Sequence, residues 1–150
     1  QQQLFSSSPS GSRIKINDYE ERTVVIISEI DASNIDARLK DSVLRIKTPS
    51  LNVKIRAEGN YIGIAAVNEQ KETDKNDANK IISYGSSQYQ FGQTVSGTLL
   101  IDKQTIDYDE ETKELLISIP KLPVDKGTPV QINRINKPAA QIEQEPSNEK

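Results

Sequence analysis

Apolar residues recur at every second position through most of the chain. In 51–57, Leu51, Val53, Ile55 and Ala57 share one side, and Asn52, Lys54 and Arg56 the other. That is the period of a half-buried strand. The same spacing groups Ile14 with Ile16, and Leu115 with Ile117 and Ile119. TVVIISEI at 23–30 is almost continuously apolar and β-branched, which predicts a strand buried on both faces. Segments 35–40 and 42–48 flank a turn at Lys40-Asp41, and Glu58-Gly59-Asn60 turns 51–57 into 61–67. Both read as hairpins. In 84–97, Tyr89, Phe91 and Val95 share a parity. Strand signals continue through TLLID (98–102) and TIDYD (105–109), which closes through EETK onto 114–121. Pro120 removes a ladder donor and ends that last strand. No segment carries a 3.6-residue period. The pattern therefore predicts an all-β fold, an antiparallel immunoglobulin-like β-sandwich.

Polar stretches divide the chain. Residues 1–12, QQQLFSSSPSGS, read as a flexible N-terminal arm with one apolar pair, Leu4-Phe5. The sandwich is expected over 13–121. Residues 68–80, NEQKETDKNDANK, read as a solvated loop. From 122 to 150 the chain turns polar and Pro-spotted, which predicts a C-terminal extension ending in a disordered tail from Lys137.

Composition narrows the chemistry. The 150 residues contain no Cys and no His, so thiol chemistry, Cys/His zinc sites and triads with a His base are excluded. The net charge of −3 gives no basic footprint for nucleic acid. No run approaches the roughly 18 apolar residues of a membrane span. Asp107, Asp109, Glu110 and Glu111 cluster, but their spacing fits a hairpin turn better than a calcium loop. Gly85-Ser86-Ser87 lacks the Lys and the helix of a phosphate cradle. The residues predict no catalytic group, no cofactor and no metal site, and so no enzyme. The first residue is Gln1, which fits a mature or a trimmed chain equally.

Three blocks, in order, resemble the α-crystallin domain of the small heat-shock protein family. LNVKIRAEGNYIGIAAVNEQKE (51–72) is similar to its strand, turn, strand and charged loop. ISYGSSQYQF (82–91) is similar to its entry into the next long strand. TIDYDEETKELLISIPK (105–121) resembles its closing hairpin. IKINDYEERTVVIISEI (14–30) fits the opening strands more loosely. In the tail, Pro129-Val130-Gln131-Ile132 resembles the family's assembly motif. Residues i and i+2 of an extended segment point the same way, so Val130 and Ile132 suit two adjacent pockets beside a sheet edge.

The resemblance implies an ATP-independent holding chaperone that binds partly unfolded client proteins and forms a homo-oligomer, a dimer or larger. It implies a receiving groove, with Val53 and Ile55 on one side and Ile106 and Tyr108 on the other. The alternative for these four is plain core. Leu4 and Phe5 are the implied client-contact arm, and 68–80 is either a dimer-building loop or a solvated one. The family default is a cytoplasmic protein; a mature chain after signal-peptide removal would be periplasmic. The chain departs from the pattern at Ile30-Asp31-Ala32, where a Pro-Gly is usual, and near Lys113, where the closing turn usually has Gly. It departs again at Gln93 or Val95, where an Arg is usual. Both 35–48 and 51–67 resemble the same family strand pair; 51–67 connects at the right spacing to YGSS, which makes 35–48 an insertion or a longer edge region. Other readings of the same sandwich are a co-chaperone or adaptor, and an extracellular binding module.

Overall fold

The computed structural model describes residues 2–9 and 11–136. The alternating segments form two five-stranded antiparallel sheets. Sheet A has the order β1 (Gln3–Ser7), β2 (Ile14–Tyr19), β3 (Arg22–Ile27), β10 (Glu114–Pro120), β9 (Thr105–Asp109). Sheet B follows chain order: β4 (Asp36–Lys40), β5 (Val43–Lys47), β6 (Leu51–Glu58), β7 (Tyr61–Thr73), β8 (Ile81–Thr94).

The two sheets form a sandwich because their inner strands turn an apolar parity inward. Ile14, Ile16, Val25, Ile27, Leu115, Ile117 and Ile119 of sheet A share one core with Leu44, Ile46, Val53, Ile55, Ile62 and Ile64 of sheet B. Each such side chain contributes about 1.5–3 kcal/mol when fully buried. Both pairs, 35–48 and 51–67, belong to the one sheet-B meander; neither stands apart from the sandwich. The β4–β5 turn is Asp41-Ser42, both with positive φ (53° and 63°). That is the geometry of a two-residue hairpin turn matched to strand twist.

The chain crosses between sheets twice. On the first crossing Asp31 caps a short 3-10 turn, Ala32–Asn34, by accepting a 3.0 Å bond from the Ser33 amide. That bond holds the Asp31 carboxyl below the usual carboxylate range. Tyr108 Oη donates to the Ile30 carbonyl (2.7 Å) and the Ile30 amide to the Lys113 carbonyl (2.9 Å), fastening this crossing to the β9–β10 hairpin. On the second crossing the Val95 amide bonds the Asn60 carbonyl and the Leu99 amide the Gly59 carbonyl.

Three expectations need correction. The segment 1–12 is not all flexible arm: Gln3–Ser7 is an edge strand on β2, with Ser6 Oγ donating to Asn17 Oδ1 at 2.8 Å. The segment 68–80 is not all loop: β7 runs to Thr73 and pairs with β8 back to Ile81. The two-stranded ribbon outruns β6, whose pairing stops at Leu51–Asn68. TLLID is not a strand: Leu99 makes one bridge to Lys121, and Ile101–Lys103 is a 3-10 turn that buries Ile101. The expected tail from Lys137 lies outside the described residues.

The sandwich closes at its last residue on a buried ion pair. Lys121 Nζ lies 2.8 Å from Asp18 Oδ1, with side chains 3% and 0% exposed. The ammonium also donates to the Tyr19 carbonyl at 2.6 Å, and Thr23 Oγ1 donates to Asp18 Oδ1 at 2.8 Å. Asp18 Oδ2 is buried and finds no partner among the described residues.

Candidate assembly site

Beyond Lys121 the described chain, to Asn136, belongs to no strand or helix. Pro129 fixes an extended approach, and the following side chains point into solvent. Val130 is 83% exposed, Ile132 80% and Ile135 82%. Large apolar side chains so fully exposed lose the burial term that keeps such residues inside. Ile135 was missed at the sequence level, because it stands three residues beyond Ile132 and outside the i, i+2 spacing.

A segment of this kind needs an open strand edge. Sheet A ends at β1 and β9, and sheet B at β4 and β8. β4 and β9 flank the same side of the sandwich. Leu39 to Ser42 share a depression with Leu99 to Asp102, the segment leading into β9. The far end of β9 is held at Ile30 by Tyr108, just before the turn into β4.

The predicted groove residues divide between core and edge. Val53 and Ile55 lie on β6, two strands in from β4, and are 2% and 0% exposed. They are core residues and line no edge. Ile106 and Tyr108 lie on the edge strand β9, half-buried and packed on the core. On β4, Leu39 pairs with the core-facing Leu44 and is itself exposed. Cross-strand partners share a face, so Leu39 reaches the inter-sheet side at the edge. It was missed because the period of IDARLK shows which way Leu39 points but not that β4 is the edge strand.

Leu4 and Phe5 are exposed on β1. Gln93 stands on the core-facing parity of β8, with a buried Nε2 that has no partner among the described residues. Val95 is buried just past the strand. β8 leaves one edge open over its length, with Ile81, Ile82 and Tyr84 exposed near its start.

Two heat-shock and stress proteins are among its structural neighbours. Stress-induced protein 1 from Caenorhabditis elegans aligns over 79% of this chain and 97% of its own, at 7% identity and a TM-score of 0.38. Heat shock protein 16.0 from Schizosaccharomyces pombe aligns over 85% of this chain and 86% of its own, at 10% identity and a TM-score of 0.40. No family model and no curated protein matches the chain. Among the described residues, no three His, Cys, Asp or Glu side chains gather as metal ligands, and no helix is long and apolar enough to cross a membrane.

Proposed function

We propose that this chain is a small heat-shock-type holding chaperone. It binds partly unfolded proteins without nucleotide and assembles with copies of itself through its C-terminal motif. The observation that carries the reading is the exposed tail segment at Val130 and Ile132, on a sandwich with an unfilled edge between β4 and β9. An added strand gains main-chain bonds along that edge, and its alternate side chains enter the groove. Ile106 and Tyr108 form the sheet-A wall. The sheet-B wall is Leu39 in place of Val53 and Ile55. Each knob contributes about 1.5–3 kcal/mol if fully buried, so one tail binds weakly and several together gain by avidity. Leu4 and Phe5 on β1 and the open β8 edge are further apolar surfaces for clients or copies. The cytoplasm, the family default, suits this role.

The test is solution mass of the full chain and of Val130→Ala/Ile132→Ala, beside suppression of heat aggregation of a test protein. The double variant is expected to lose mass. A wild-type monomer that suppresses nothing refutes the reading.

A further inference from the structure

The outer face of sheet B, turned away from sheet A, carries a cationic field on a chain of net charge −3. Strand register sets Arg38 opposite Arg45, and Arg45 opposite Lys54. Like charges then face each other across adjacent strands about 4.8 Å apart, which destabilises a sheet. Lys47 and Arg56 extend the field on the same face. Of these five cations, Arg38 alone has an acidic partner among the described residues, Asp36 at 3.1 Å, with both side chains well exposed.

The floor of this face is small and shaped. Arg45, Lys54 and Arg56 border a depression with Tyr61, Gly63 and Gly92. A Cβ at Gly92 would collide with Tyr61 Oη and lie 2.8 Å from the Ile62 carbonyl. Gly92 therefore leaves the slot in which the Tyr61 ring lies along the sheet.

The complementary charge sits on the other sheet. The β9–β10 hairpin carries Asp107, Asp109, Glu110, Glu111 and Glu114, against one cation, Lys113. Asp109 Oδ1 is spent on the Glu111 and Thr112 amides, which shape the turn, while Asp107, Glu110 and Glu111 are exposed. None of these acids pairs with a cation among the described residues. A hairpin on sheet A cannot reach round to the outward face of sheet B in its own molecule.

We infer that the basic outer face of sheet B docks the acidic β9–β10 hairpin of a second copy. The two patches differ, so the contact is head-to-tail and runs on into open chains unless the rotation closes a ring. It uses charged side chains and not the apolar knobs of the tail contact and, unlike that contact, weakens with salt. Exposed charges are largely screened beyond about 8 Å at physiological ionic strength.

The test uses the full chain by analytical ultracentrifugation at low and high salt, with circular dichroism to verify folding. Arg45→Glu/Lys54→Glu and Glu110→Lys/Glu111→Lys change exposed side chains on opposite patches. Each variant alone is expected to lose the salt-sensitive association at least tenfold in affinity, because like charges then meet. An equimolar mixture of the two is expected to recover it, because opposite charges face again across the mixed contact. Retention of that association by either folded variant overturns the inference, and so does a mixture that fails to recover it. A wild-type mass unaffected by salt overturns it too. If Val130→Ala/Ile132→Ala abolishes assembly at every salt while both charge variants keep the wild-type mass, the tail reading stands and this one falls.

Discussion

Replacing Lys121 by Met tests what the closing ion pair contributes. The substitution keeps most of the side chain's length and removes its charge. It leaves Asp18 fully buried, with Thr23 Oγ1 as the one donor to Oδ1 and no partner at Oδ2. Breaking one side of a buried pair costs about 3–5 kcal/mol, because the remaining charge stays out of water unpaired. A small domain loses about 1–3 kcal/mol of stability per molar urea. At a slope near 1.5, the unfolding midpoint should fall by about 2–3 M. Asp18→Asn/Lys121→Met removes both charges and should cost much less than the sum of the single changes. The difference is the coupling energy of a double-mutant cycle. A loss below about 1 kcal/mol in Lys121→Met would refute the reasoning, since the pair would then be solvated in solution.

Three further outcomes follow from local geometry. Lys113 has a φ of 60°, so Lys113→Gly should be neutral or stabilise by up to about 1 kcal/mol, while Lys113→Val should destabilise, by urea titration. Gly92→Ala should cost about 1–3 kcal/mol, and adding Tyr61→Ala should recover only part of it, because the Ile62 carbonyl still blocks the new methyl. The Asp31 carboxyl titrates lower folded than unfolded, so its capping bond should be present above the unfolded pKa and be lost as pH falls through the folded one. Carboxyl carbon shifts followed by NMR should show this, and Ser33→Pro, which removes the donor amide, should return the value toward normal.

Strands that bury one face were plain in the sequence, because burial demands alternation. β6 shows it without a break and β10 with one, at the outward Leu116, and their inward residues are buried as the spacing predicts. Two paired stretches without apolar alternation were hidden. β1 is held by main-chain bonds and by Ser6 on Asn17, and neither requires apolar residues. Beyond Asn68, β7 pairs only with β8, and the ribbon carries few apolar residues to betray it. The groove failed for another reason. Alternation tells which way Val53 and Ile55 point, but their distance from an edge depends on strand order, which period does not encode. Ile106 and Tyr108 pointed the same way and happened to lie on an edge.

The two sheets also differ in when they become complete. Every neighbour in sheet B is joined by a hairpin, so that sheet can zip together as it leaves the ribosome. β3 has no such luck: its partner β10 lies at the far end of the domain. At about 5–20 residues per second, the inner edge of β3 waits on the order of ten seconds for Leu115 to Ile119. TVVII is apolar and uncharged past Arg22, the composition of an aggregation-prone edge. A nascent chain of this protein is thus itself a candidate for the protection that the finished one is proposed to give.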